Sequence, residues 1–545
     1  MRLKTVLAFM AGLAVVGSAV ADRSEFEKWL SQETTSFQEY RDKRDKEFTS
    51  FLKTQWKEME TFSGLVRDKT PKPVRMPVAL PLPAPKPTPM VQPLPDSKPT
   101  PMVQPKPDTK PETPKPLPLP DSKPLPSPVP TPLDQPAQDE KPLVATPKPV
   151  VKPPTVKVPP IAPPPKPVIV KPIPAVKLPK GQTIRINYYG QSLRFTYDAK
   201  LKVGMYSRID ATAMSRHWSS LSQGDYEALL KQINHQRQPL SLNDWGYALL
   251  INEIAREIYP GQSNEQALFG WFMLIKAGYQ ARIAYDSSRV YLLLPSRQQL
   301  FGASYFTFDN VRYYALGFDG SKQKPGRVYT YDGQYPGATK RMDMRLDKTL
   351  NTGRKESGKQ LSFKYQGKTY KVNIGYDQQT VRFLKTYPQM DIGMYFTSSV
   401  NQSTGNPLLA QLKPMVEGKS EQDAVNLLLR FVQTAFRYKT DQAQFGTENY
   451  LFPEETLYYP YSDCEDRSVF FAWLVRSLLN LDVVGLDFPG HIATAVRFNE
   501  SVSGDAVRYK GKRYVVSDPT YINARAGMTM PEFRSKRPNV IPIVF

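Results

Sequence analysis

Residues 71–180 hold 39 of the chain's 54 prolines and not one aromatic residue. Proline fixes φ and removes a backbone donor, so such a stretch favours extended polyproline II and cannot build a core. It divides the 545-residue chain into parts that must find their cores on either side. Within it Pro87-Thr88-Pro89-Met90-Val91-Gln92-Pro93 recurs at 99–105, and Pro95-Asp96-Ser97-Lys98-Pro99 recurs at 120–124. At ~3.1 Å per residue the stretch would reach on the order of 300 Å when fully extended. The reading is a disordered linker, either a stiff spacer or one with no length requirement.

The first 21 residues set the expected compartment. Arg2 and Lys4 precede an apolar run from Val6 to Val16, and Ala19-Val20-Ala21 offers a small-x-small cleavage site. This is the pattern of a removed signal peptide, and the run is short for a membrane span. The mature chain is therefore expected in the periplasm or secreted, without a transmembrane segment. One cysteine excludes an internal disulfide, and three histidines with that one cysteine argue against a metal cluster. No cofactor is expected. Of the net charge of +22, residues 71–180 carry +9 (16 Lys+Arg against 7 Asp+Glu), and the +12 from 181 onward is spread without a dense basic stripe. Nucleic acid is a poor partner for an exported chain, and anionic envelope polymers are a better one.

Residues 22–70 carry Phe26, Trp29, Leu30, Phe37, Tyr40, Phe48, Phe51, Leu52, Met59 and Phe62, mostly three or four apart. That spacing predicts an amphipathic helix or helix pair whose aromatic face docks on a partner or self-associates. From 181 onward aromatic and β-branched runs alternate with turn signals. Paired anchors suggest a duplication: Gly204-Met205-Tyr206 with Gly393-Met394-Tyr395, Tyr259-Pro260 with Tyr459-Pro460, and Arg312-Tyr313 with Arg513-Tyr514. The expected units are 181–355 and 356–545.

The chemistry concentrates in the second unit. Asp463 or Ser462 is a plausible N-cap for an apolar helix through Leu479, which puts Cys464 in its first turn. The positive helix end and a cationic histidine would there favour thiolate, the nucleophilic form. Leu481–Asp487 reads as a strand, Pro489-Gly490 as a turn, and His491–Val496 as the next strand. After a hairpin at Lys510-Gly511, a third strand delivers Asp518 beside His491. Nucleophile, base and base-orienter need this order of elements. Taken singly, each residue is more often structural.

Asp463-Cys464-Glu465-Asp466-Arg467-Ser468, then Pro489-Gly490-His491-Ile492-Ala493-Thr494, then Ser517-Asp518-Pro519-Thr520-Tyr521 resemble the Cys, His and Asp motifs of the transglutaminase-like superfamily, over roughly residues 420–525. The resemblance implies an α+β fold of tandem transglutaminase-like, papain-like domains. It implies that Cys464 attacks an amide carbonyl to give a thioester, that His491 acts as base and acid, and that Asp518 orients it. The backbone N–H of Cys464 would serve the oxyanion, with Tyr461 a candidate side chain. In the first unit Asn264 falls where Cys464 sits and no histidine matches His491, so that copy resembles a degenerate one. The expected function is a cysteine-dependent amide hydrolase or peptidase acting on extracytoplasmic protein or cell-wall peptide. A crosslinking transglutaminase and a non-enzymatic envelope adaptor are the alternatives.

Overall fold

The computed structural model describes residues 23–66, 72–79, 155–161, 181–205, 208–319 and 323–543. The predicted signal peptide and most of the proline-rich stretch lie outside the described residues. The fold is α+β. No helix among the described residues is long and apolar enough to cross a membrane.

The N-terminal segment forms one long helix, α1 (Arg23–Thr54), in a stretch free of proline and glycine. Its last turns bury Phe48 and Leu52, whereas Phe37 and Tyr40 stay exposed. Each such burial contributes roughly 1.5–3 kcal/mol, so the C-terminal end is what anchors the helix. The aromatic face thus docks within the chain itself: Phe48 packs edge-on to Trp218 at 4.7 Å. Helical spacing misled from Trp56 onward. Trp56–Glu60 is a strand, β1 (Trp56–Glu60), with Trp56 opposite Tyr331 and Glu60 opposite Arg327. Trp56 and Met59, three apart, fit a helical face as well as a twisted edge strand. The backbone edge offered by residues 327–331 decides the matter.

Beyond a hairpin at 182–197, the first half contains helices α2 (Asp244–Ile258) and α3 (Ser263–Lys276). Its strands are β2 (Arg282–Tyr285), β3 (Val290–Pro295), β4 (Tyr305–Phe308), β5 (Val311–Ala315) and β6 (Arg327–Tyr331). They form an antiparallel sheet in the order β1-β6-β2-β3-β5-β4. The second half repeats the plan after a hairpin at 356–377. It has α4 (Glu421–Ala435) and α5 (Cys464–Leu479), then β7 (Val483–Phe488), β8 (His491–Val496), β9 (Ala506–Tyr509), β10 (Lys512–Val516) and β11 (Asn539–Pro542). Its antiparallel order is β11-β7-β8-β10-β9, the same succession without the extra edge strand.

From the start of α3 to the end of β5 the two halves are related by one shift of 201 residues: 263 to 464, 290 to 491 and 315 to 516. They share a core, because a single buried cluster contains Trp245 and Leu274 of the first half with Phe452 and Phe470 of the second. Trp245 Nε1 donates to Thr386 Oγ1 at 3.0 Å within it. Two pieces of the proline-rich stretch are docked rather than disordered. Val156 and Val158 are buried, and Val156 N donates to Lys419 O at 2.8 Å. Residues 72–79 run beside the start of α5, with Val78 bridging Ile522.

Candidate active site

The first turn of α5 is both charged and buried. Asp463, Cys464, Glu465, Asp466 and Arg467 are each at most 1 % exposed. Charged side chains are almost never so enclosed unless paired. Asp466 caps the helix: its carboxylate accepts from Asp463 N at 3.2 Å and from Leu451 N at 2.9 Å. Arg467 donates to Phe436 O at 2.7 Å, Gln433 O at 3.3 Å and Ser462 Oγ at 3.1 Å. With its guanidinium so enclosed, burial pulls it down to about 10.

The remaining acids converge on a lysine from the proline-rich stretch. The Lys72 ammonium is bonded to Glu465, and lies 2.9 Å from Asp463 Oδ2, 2.8 Å from Glu448 Oε1 and 3.4 Å from Asp441 Oδ2. Burial alone would lower its pKa, but Glu465 and Asp463 outweigh that and hold it above the ordinary lysine range. Burial, reinforced by Asp463 and Glu465, pushes Asp441 up to about 9. Carboxylate oxygens of Asp441, Asp463 and Asp466, and of Asp441, Glu448 and Glu465, lie within 4.8 Å of one another. The cation among them is the lysine.

Cys464 begins the helix, as the sequence indicated, but its thiol donates to Glu465 Oε2 at 3.0 Å. One carboxylate therefore bridges the thiol and the Lys72 ammonium. Burial first, and Glu465 second, push the thiol well above its usual range, while Lys72 acts the other way. The expectation of a depressed thiol pKa is thus not met. Anionic neighbours and lost solvation outweigh the helix terminus.

His491 opens β8 and Asp518 follows β10, its antiparallel neighbour. His491 Nε2 and Asp518 Oδ2 are 2.8 Å apart, both buried. The ring stacks on Phe533 with centroids 5.1 Å apart and 10° between planes. Asp518 is fixed from its other oxygen, which accepts from Thr520 N at 2.8 Å and Tyr521 N at 3.2 Å. This is the Asx turn that an Asp-Pro-Thr run favours. His491 Nδ1 is buried and has no hydrogen-bond partner among the described residues. One turn beyond Cys464, Ser468 Oγ donates to Ile492 O at 3.0 Å, which ties the helix to the strand of His491. The structure thus joins His491 to Asp518, and holds the thiol on Glu465 instead of on His491. Tyr461 stands half-buried in a two-residue strand, with the Lys439 ammonium 5.3 Å from its ring centroid.

The equivalent positions of the first half refine one expectation. Ser263, not Asn264, is the first residue of α3 and the counterpart of Cys464. Asn264 Oδ1 accepts from Val290 N at 2.8 Å. Ser263, Val290 and Gly317, which stand where Cys464, His491 and Asp518 do, all line one cavity of about 610 Å³. Of the other two histidines, His217 is buried in a helix without partners among the described residues, and His235 is exposed.

Lys72, Asp441 and Glu448 were not singled out in the sequence. The acidic residues flanking Cys464 were a visible signal, but their counter-ion lies almost four hundred residues earlier in a segment read as linker. No family model, no curated protein and no solved structure matches this chain.

Proposed function

We propose that this chain is an exported cysteine-dependent amide hydrolase or peptidase, built from tandem transglutaminase-like halves of which the first has lost its nucleophile, and acting on extracytoplasmic protein or cell-wall peptide. The observation that carries the reading is the buried His491–Asp518 contact with Nδ1 left unpartnered. A neutral imidazole that donates from Nε2 to the carboxylate keeps its lone pair on Nδ1, where a general base needs it. The cavity shared by Ser263, Val290 and Gly317 supports the same convergence of positions.

In the proposed reaction the Cys464 proton passes to His491 Nδ1 and sulfur attacks the amide carbonyl. The amine leaves with the proton from His491, and water then cleaves the thioester to free acid and thiol. An amine in place of water would give the crosslinking alternative. The thiol must first turn from Glu465, so the arrangement described above corresponds to a latent form.

Alkylation of Cys464 by iodoacetamide between pH 5 and 10, followed by intact mass, tests this. The rate at pH 7 is expected to fall about tenfold or more in His491→Ala, and less in Asp518→Ala. Equal rates in wild type and both variants would sink the catalytic reading. A binding protein on an enzyme-like fold would then stand, and the burial of the thiol beneath Glu465 and Lys72 already favours that second reading.

A further inference from the structure

Residues 72–76, Lys-Pro-Val-Arg-Met, meet the site through three of their five members. Lys72 fills the carboxylate cage. The carbonyl of Pro73 accepts from Tyr438 Oη at 2.7 Å. Met76 Sδ accepts from Arg467 Nη1 at 2.8 Å. Val74 and Arg75, between them, are exposed. The sequence writes the same pattern twice more. Lys86-Pro87-Thr88-Pro89-Met90 and Lys98-Pro99-Thr100-Pro101-Met102 keep the Lys, Pro and Met and change only the two exposed places. These are the segments whose repetition stood out in the linker, each extended by the lysine before it.

The geometry points to a receptor groove for Lys-Pro-x-x-Met segments beside Cys464, which residues 72–76 fill and for which residues 86–90 and 98–102 of the same chain compete. Three observations besides the acidic cluster carry this. A lysine ammonium is already seated there. Asp463 Oδ1 is buried and has no partner among the described residues, so the cage keeps a spare acceptor. The residues repeated in sequence are the ones that touch the groove.

A proline at the place of Arg75, as in both copies, removes no backbone hydrogen bond recorded among the described residues. The resident segment still has an advantage. Ala79 N donates to Ile522 O at 2.8 Å, and both copies carry proline there, at 93 and 105, with no N–H to give. Buried carboxylates hold Lys72 in its charged form, so the groove recognises lysine as a cation and does not present it as an attacking amine. Because the copies lie on the same chain, their effective concentration at the groove is on the order of millimolar. The inference does not depend on whether the thiol is catalytic.

The test is a titration of a fluorescent peptide spanning residues 85–93 onto full-length chains. The K72Q/K86Q/K98Q chain, with every resident lysine removed, is expected to bind it at micromolar concentration. Lys72→Gln alone should bind at least tenfold more weakly, since residues 86–90 and 98–102 occupy the groove, and wild type more weakly still. A peptide carrying Lys86→Gln should lose at least tenfold on the triple variant. Overturning results are a folded triple variant that ignores the peptide, or that binds the Gln peptide equally. Equal binding by Lys72→Gln and the triple variant would refute the competing copies. If circular dichroism shows the triple variant unfolded, amide exchange at Ala79 in wild type replaces the titration. Excess peptide must then speed that exchange, and an unchanged rate overturns the proposal.

Discussion

The two halves use one scaffold to opposite ends. In the first, the opening turn of α3 is at the surface or half-buried, and its side chains bond backbone groups: Asn264 receives Val290 N, Glu265 receives Met205 N at 3.2 Å, and Gln266 donates to Tyr259 O at 2.7 Å. In the second, the same turn of α5 is enclosed, and carries Cys464 with four charged neighbours, Asp463 included, held by Lys72, by backbone N–H groups and by backbone carbonyls. The first half shows that this helix start assembles without buried charge, its own buried ions, Arg282 and the Lys276–Asp45 pair, lying elsewhere. Enclosing ions is costly even when they are paired, and an apolar replacement often does as well or better. The charges at the start of α5 are therefore not required by the architecture, and a cavity stands beside Ser263, where the same turn is not sealed.

The sharpest way to break this comparison is at the fourth residue of each helix. Arg467→Ala should destabilise the protein by about 3–5 kcal/mol, because four acceptors lose their donor and the buried Asp463 and Asp466 lose a nearby cation. Its counterpart Gln266→Ala removes one hydrogen bond at a half-buried position, for about 0.5–1.5 kcal/mol. Urea unfolding of both variants measures the difference. Similar losses would mean that the first turn of α5 is ordinary architecture after all.

That contrast also marks what the sequence could disclose. The helix that begins at Cys464, the strand that begins at His491 and the strand that ends just before Asp518 were legible because their signals are local. Apolar runs, the Lys510-Gly511 turn and an Asp before Pro each act within a few residues. The observed hairpin has Lys510 and Gly511 both at positive φ. Lys72 was not legible, since nothing local distinguishes it from the other lysines among the prolines. Its docking depends on acids that come together only when α5 packs. Trp56–Glu60 failed for a related reason, because its partner strand lies far along the chain at 327–331.

A pH series sharpens the comparison further, since the shifted groups it reads are a buried base in the first half and two buried acids in the second. In the first, burial drives His217 down to about 4. A depressed base contributes stability above its unfolded value of about 6.5, and that stability is lost as pH falls toward 4. In the second, burial drives Glu454 and Glu455 each up to about 8. A raised acid contributes stability below about 4.5, and it is lost as pH rises through 8. His217→Leu should flatten the acid limb and Glu455→Gln the alkaline limb, each by on the order of 1–3 kcal/mol in urea midpoints taken at pH 5, 7 and 9. If either variant shifted both limbs equally, the assignment of these groups to separate environments would fail.

The smallest expected effect lies where the two helices end. α3 stops at Lys276 and turns through Gly278 at φ +91°, whereas α5 runs to Leu479 and turns through Asn480 at φ 53°. Both nevertheless start the next strand at matching positions, 282 against 483. The left-handed residue is therefore a local device placed one position apart in the two copies, and the longer helix is absorbed in the loop. Asparagine tolerates that conformation but glycine adopts it without a Cβ clash. Asn480 is exposed, so Asn480→Gly should stabilise by a few tenths of a kcal/mol, up to ~0.5. Gly278→Ala should cost about 1 kcal/mol, since the space around it is open enough and only the backbone strain remains. Calorimetric melting of the pair checks both signs. A loss in Asn480→Gly would show that its side chain holds the end of α5, and the likeness of the two halves would then stop at the last turn of the helix.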